Sequence, residues 1–299
     1  MSLGLGWAAA VALASLLHLP TTTPVDPSCP CIWFDGYGHQ NNGSFMSPDW
    51  PQPYDPDIRC LLYTFVGAAN EVVELTFFSL HLGQRKEDGT CGDFVRLFLD
   101  VGKDGLDGVN ESSQWEVELC GSQASAGQPL HYWSASSMLV LEFHSDSVSD
   151  AATERGFMGE FRFLDKRSFA TDGKKIGEPC DYRISSRPET KSGRIVSPRF
   201  PFHYQSDTKC NYYLQAAPGE VVKLQFKTVE LPPVDGSCIS AKTLIYVFDG
   251  QRGPQKDLRP RRQIRRIRHH PTMSDHGCIV VGGDEFDRWR MVHLGHCPT

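Results

Sequence analysis

Apolar and polar residues alternate in short runs along most of this chain. Val73, Leu75 and Phe77 alternate with Glu74 and Thr76, the period of a half-buried strand. Residues 61–66, 94–99, 115–119, 138–143 and 157–163 read as further strands, separated by Gly, Asp and Ser clusters. The pattern returns later: Val222, Leu224 and Phe226 repeat the first alternation, and Val229 and Leu231 match Leu80 and Leu82. A further strand is expected over 244–248. Many short strands without a helical period predict an all-β fold of antiparallel β-sandwiches.

One stretch occurs twice. Gly43, Ser47, Pro48, Pro51, Tyr54, Asp57 and Cys60 reappear as Gly193, Ser197, Pro198, Pro201, Tyr204, Asp207 and Cys210, each pair 150 positions apart. Gly, Pro and Tyr punctuate a loop that must turn at set places, and the closing Cys pins it. The chain therefore reads as two copies of one module. After Gln251 the second copy has no counterpart of the first copy's last strands. Residues 252–270 are dense in arginine and 277–299 show no clear alternation. A sandwich without its final strands leaves an open edge and a bare apolar face. Either the tail supplies replacement strands or the chain is truncated or aberrantly spliced, and the second is the expectation. The expected layout is a leader at 1–20, a disordered Thr/Pro-rich spacer at 21–28 and a first module at 29–164. A linker at 165–179, a partial second module at 180–250 and an irregular basic tail at 251–299 complete it.

Length and composition add a compartment. With 299 residues, two domains of ordinary size are expected. A net charge of -6 argues against nucleic acid as a general partner. The apolar run 7–17 is too short to span a bilayer and has the form of a secretory leader, although no Lys or Arg precedes it. The other reading of that run is an amphipathic or buried helix. No later stretch is apolar enough to cross a membrane. A secreted, oxidised chain makes its ten cysteines disulfide candidates. Asn42-Gly43-Ser44 and Asn110-Glu111-Ser112 fit the N-glycosylation pattern, both in polar, turn-like surroundings.

These residues carry a resemblance. The Gly-x-x-x-Ser-Pro-x-x-Pro-x-x-Tyr loop, Cys60, Cys91, Cys120-Gly121, Phe143-His144-Ser145-Asp146 and Gly156-Phe157 make both modules resemble CUB domains, extracellular β-sandwiches stapled by disulfides. Leu61-Leu62-Tyr63-Thr64-Phe65 and Phe161-Arg162-Phe163 look most like the suppressor of lurcher proteins, which accompany ionotropic glutamate receptors. The resemblance implies pairing of Cys91 with Cys120, of Cys180 with Cys210, and of Cys60 with Cys31 or Cys29. Cys238 is left to pair with Cys278, with Cys297 or with nothing.

The resemblance also implies chemistry. Many CUB domains hold calcium with a Glu, an Asp after the third cysteine and the Asp of the Ser-Asp pair, hard oxygen donors on loops. Asp93 and Asp146 match here, with Asp93 one residue closer to its cysteine than usual, and the Glu position falls on Gly83. A weak site is implied, stronger only if Glu87 or Asp88 substitutes; otherwise the two acids are solvated and no cofactor is needed. In the second copy the two early acids fall on Pro232 and Thr243, so no ion is expected there.

Other features weigh less. Arg259, Arg261, Arg262, Arg265, Arg266 and Arg268 form a basic patch, suited to heparan sulfate, anionic lipid or proteolytic processing, or simply solvated. His276, Cys278, His293, His296 and Cys297 match no closed zinc spacing. No zinc-protease motif, nucleophile elbow or phosphate loop is present. The expectation is a non-enzymatic extracellular protein that binds a protein partner, such as a glutamate-receptor ectodomain, near Asp93 and Asp146. The alternative is a recruiting fragment of a developmental metalloprotease or matrix protein.

Overall fold

The structure is a computed structural model that describes residues 25–26, 28–36, 41–101, 109–110, 113–125, 127–146, 155–232, 243–249, 267–268, 278–283 and 290–293. The leader, Cys238, Cys297 and Arg259 through Arg266 lie outside these residues. The chain forms two compact units, one of residues 1–169 with 199–204 and one of 170–198 with 205–299.

In the first unit the strands are β1 (Cys31–Asp35), β2 (Asn42–Met46), β3 (Leu61–Val66), β4 (Glu71–His81) and β5 (Phe94–Phe98). They are followed by β6 (Val117–Leu119), β7 (Ser122–Ala124), β8 (Leu130–Trp133), β9 (Met138–His144) and β10 (Gly156–Asp165). One sheet has the order β1-β3-β9-β5-β6; the other has the order β2-β10-β4-β7, with β8 also paired to β4. Only β1 and β3 pair in parallel; the other described pairs of this unit are antiparallel. The expected all-β sandwich is what forms.

The two sheets enclose an aromatic core. Phe45, Phe65, Phe77, Phe143 and Phe157 are buried completely or nearly so, and neighbouring rings meet edge-on. Such edge-to-face pairs add to the transfer free energy of burial. Val73, Leu75 and Phe77 fill this core as the alternation predicts. Their polar neighbours are not solvated, however: Glu74 is buried and bridged to Arg162, while Thr76 Oγ1 lies 3.1 Å from His131 Nδ1. On β9 the inward residues are Leu139, Leu141 and Phe143. Met138 and Val140 face the other way, into a second cluster with Phe98 and Val25.

Of the expected spacer, Val25 is buried on the outer face of the first sheet and Asp26 forms an ion pair with Arg59, so these two residues are held by apolar burial and charge. The expected linker likewise carries a short 3-10 helix (Lys166–Phe169) and the strand β11 (Lys174–Gly177).

The second unit pairs β11 with β12 (Asp181–Ser185) and β12 with β13 (Tyr212–Gln215). In sequence order, the start of the second copy of the module repeats that of the first closely. β12 and β13 pair in parallel as β1 and β3 do. Asp49 and Asp57 have φ of 59° and 63°, and Arg199 and Asp207 have 64° and 55° at the matching positions. The Tyr63 hydroxyl donates to the Met46 carbonyl, and the Tyr212 hydroxyl donates to that of Val196. Glu71 and Glu220 both accept from the amide three residues earlier, closing the same turn.

Later the copies diverge. The strand expected around Val222 to Phe226 shrinks to β14 (Leu224–Gln225), and β15 (Ile245–Asp249) follows. The tail, expected to be irregular, contributes β16 (Ile267–Arg268), β17 (Cys278–Gly283) and β18 (Arg290–His293). β16 pairs with β14 and β17 with β15, both in parallel, and β18 closes on β17. The β-branched run Ile279, Val280 and Val281 suits the open edge of β15, because a strand edge presents unpaired backbone groups. The core here is small, built on Val229 and Val247.

One glycine sets the closeness of β10 to its neighbours. A Cβ on Gly159 would lie 2.4 Å from the Thr76 carbonyl oxygen and 2.7 Å from the Phe45 ring, beside a register shift between Met158 and Gly159. Backbone cannot yield there as a flexible side chain would. Gly159→Ala should destabilise the first unit by about 1–3 kcal/mol, read from the midpoint of urea unfolding.

Candidate recognition site

The cysteines expected to staple the modules do so through Cys91–Cys120, Cys180–Cys210 and Cys29–Cys60. Cys29, not Cys31, reaches Cys60, with a Cα–Cα distance of 5.5 Å. Cys31 already belongs to β1 and stands opposite Leu62, beyond Cys60 in the register. Its exposed thiol is free, 3.1 Å from Thr64 Oγ1.

Ser145 and Asp146, just after β9, tie that strand to the repeated loop. The Ser145 hydroxyl accepts from the Ile58 amide and donates to the Asp55 carbonyl, while the Asp57 amide donates to the Asp146 carbonyl. Asp93 precedes β5 and is 3% exposed. Its Oδ2 accepts from the Tyr54 hydroxyl at 2.5 Å and its Oδ1 from the Asp146 amide at 2.7 Å. The Tyr54 ring is itself fixed edge-on against Phe143. The structure therefore brings Asp93 and Asp146 together, as the resemblance implies. Asp93 is not a solvated loop acid: these two donors replace its water.

The substitute acids are elsewhere. Asp88 turns back to the amide and hydroxyl of Thr90, which hold its carboxyl below the usual carboxylate range. Glu87 is exposed. The Gly83 carbonyl accepts from the Gly121 amide, and that position offers no carboxylate. What the hairpin 85–91 delivers instead is Lys86, whose Nζ lies 3.2 Å from Asp146 Oδ2. Calcium takes six to eight oxygens. No group of three or more His, Cys, Asp and Glu among the described residues is placed to hold a metal. Among the described residues, two carboxylates, one sequestered and the other facing an ammonium, do not make up that shell. Sequence reasoning singled out Tyr54 only as a loop residue and passed over Lys86, because no spacing marks a lysine that folds back across a hairpin.

Three other features reach the surface. Ile32 and Trp33, 41% and 61% exposed, stand on β1, which pairs only with β3 among the described residues. On the outer face of the first sheet, Arg96 makes a two-point contact with Glu118 and stacks over Phe94. Beside it Glu142 is buried, its Oε2 lacking a hydrogen-bond partner among the described residues. Burial pushes the Glu142 carboxyl above its ordinary value of 4.5, against the opposing pull of Arg96 and His144. A raised folded-state value favours the protonated form, so Glu142's contribution to stability is complete below 4.5 and lost as pH rises through the folded value. Glu142→Gln should flatten the decline of unfolding free energy with pH just above 4.5. Urea titrations at a series of pH values read this slope.

Asn42 and Asn110 are both exposed. Asn42 opens the edge strand β2, rather than lying in a turn. The β17–β18 register sets Cys278 opposite His293, while His276 and His296 lie outside the described residues. Of the basic patch only the backbone of Arg268, in β16, is described. No helix among the described residues is long and apolar enough to cross a membrane.

Comparison with known proteins agrees with this architecture. Residues 35–161 and 180–259 match the CUB domain family. Human Tolloid-like protein 1 is 24% identical over 237 residues, covering 70% of this chain and 21% of that protein. Human cubilin is 27% identical over 212 residues, covering 71% of this chain and 5% of cubilin. The chain thus spans a small part of the length of these relatives. Among solved structures, the MASP-1 CUB2 domain bound to Ca2+ is similar at 21% identity and a TM-score of 0.34, covering 45% of this chain and 99% of that one. With two matched regions that together make up well over half of its residues, the chain belongs to the CUB domain family.

Proposed function

We propose that this chain is a non-enzymatic extracellular binding protein that recognises a protein partner through its first unit. The observation that carries this reading is the exposure of Ile32 and Trp33 on an edge strand anchored by the Cys29–Cys60 disulfide. Large apolar side chains held out to water on a rigid scaffold suit a protein interface, and Trp is enriched among residues that dominate binding. The leader-like run and the disulfides support secretion, and Asn42 and Asn110 are the glycan acceptors of this reading.

Within that class, the partner proposed is an ionotropic glutamate receptor ectodomain. Its support is the likeness of residues 61–65 and 161–163 to receptor-associated CUB proteins. The experiment is capture of the receptor ectodomain by the full chain, with and without chelator, beside a Trp33→Ala, Ile32→Ser variant. Capture by the parent and loss in the variant supports the reading. No capture under either condition removes the receptor as partner.

The Tolloid-like relatives favour a second reading, a substrate-recruiting segment of a longer protease. Sequencing the transcript beyond the codon for Gly250 separates the two. A protease domain there supports recruitment, whereas further CUB domains with a membrane anchor support the receptor role.

A further inference from the structure

A carboxylate at a crowded loop end is stabilised by a nearby cation. Asp93 accepts from the Asp146 amide, and the cation beside the Asp146 carboxylate comes from the protein itself. We propose that the Lys86 ammonium is the resident counter-ion of this loop end, taking the part that calcium would play, so that the end is ordered without a metal.

Several independent features place Lys86 there. The hairpin is closed by the Arg85–Cys91 bridge, by the Lys86 amide donating to Thr90, and by the Gly89 amide donating to Lys86. Its base is tied down through Cys91–Cys120. The other nearby cation is directed elsewhere: Arg85 donates to the Gly89 carbonyl and lies 3.6 Å from Glu118. Gly92 provides the seat. A Cβ there would lie 2.4 Å from Asp146 Oδ2 and 3.0 Å from Lys86 Cε, so the bare Cα leaves room for the lysine stem and the carboxylate to meet over it. An ammonium with three rotatable donors on a flexible stem suits a single carboxylate oxygen, whereas calcium needs a shell of oxygens that the described residues of this loop end do not assemble.

The inference does not depend on which partner binds, and its test uses the full chain alone. Thermal unfolding of the parent protein should be the same in EDTA and in millimolar calcium, and terbium should give no tyrosine-sensitised luminescence. Lys86→Glu removes the ammonium and adds a third carboxylate. This variant should gain a calcium-dependent rise in midpoint of roughly 4 °C, with terbium luminescence sensitised by Tyr54. A calcium-dependent midpoint in the parent overturns the proposal, as does a folded Lys86→Glu variant that ignores both ions. Should Lys86→Glu fail to fold, Lys86→Met decides. A midpoint lowered in EDTA and recovered with calcium or added salt supports the proposal, and a midpoint unchanged in all conditions overturns it.

Discussion

Replacing Phe157 with Ala should destabilise the first unit by about 3–5 kcal/mol, the cost of emptying a large, well-packed aromatic site. Phe157 is fully buried, and its ring lies 5.3 Å from that of Phe143, 5.7 Å from Tyr63 and 6.1 Å from Phe77. These residues come from β9, β3 and β4, strands of both sheets, so no single strand can move inward to fill the space. Domains are typically stable by about 5–15 kcal/mol, and such a loss consumes much of that margin. Urea unfolding followed by tryptophan fluorescence measures the effect. Ile32→Ala serves as the comparison: an exposed side chain on an edge strand should shift stability by less than about 0.5 kcal/mol. Equal losses for the two variants would contradict the placement of Phe157 at the centre.

Removing the Cys91–Cys120 bridge by a double Ser substitution should cost about 3–4 kcal/mol through the freed entropy of the unfolded chain. The bridge closes a separation of 29 residues. It also holds the base of the hairpin that carries Lys86, so the effect is local as well as global. The Cys91→Ser, Cys120→Ser protein should show faster amide exchange across residues 85–93 than across β4 or β9. Hydrogen exchange read by mass spectrometry checks this. Uniform exchange over the first unit would mean that the hairpin keeps its shape without the staple.

The sandwich and its repeat were legible in the chain because each depends on local pattern. Alternation at Val73, Leu75 and Phe77 has one physical reading, a strand with its apolar face inward, and the structure places these residues there. The doubled loop was visible because its turns need particular residues at set positions, including Asp57 and Asp207 at positive φ. Burial of the opposite faces was not legible. Nothing near Glu74 in sequence announces Arg162, and nothing near Met138 announces Val25. The strands of the tail were missed because β17 is apolar without alternation, and its identity as a strand comes from pairing with β15. The candidate site was half legible: two carboxylates could be named, while the tyrosine and lysine that complete them lie 39 and 60 positions from their partners.

By itself, the order of residues determined that the chain builds β-sheets and uses one module twice, and its resemblance to CUB domains implied staples at Cys60, Cys91, Cys120, Cys180 and Cys210. Only the folded arrangement decided that Cys29 rather than Cys31 completes the set, that Asp93 is withdrawn from water, and that a lysine faces Asp146. The difference has one cause. Strand pattern and turn chemistry act between residues a few positions apart, whereas a side chain's electrostatic partner is chosen by whichever distant strand or hairpin the packing sets beside it.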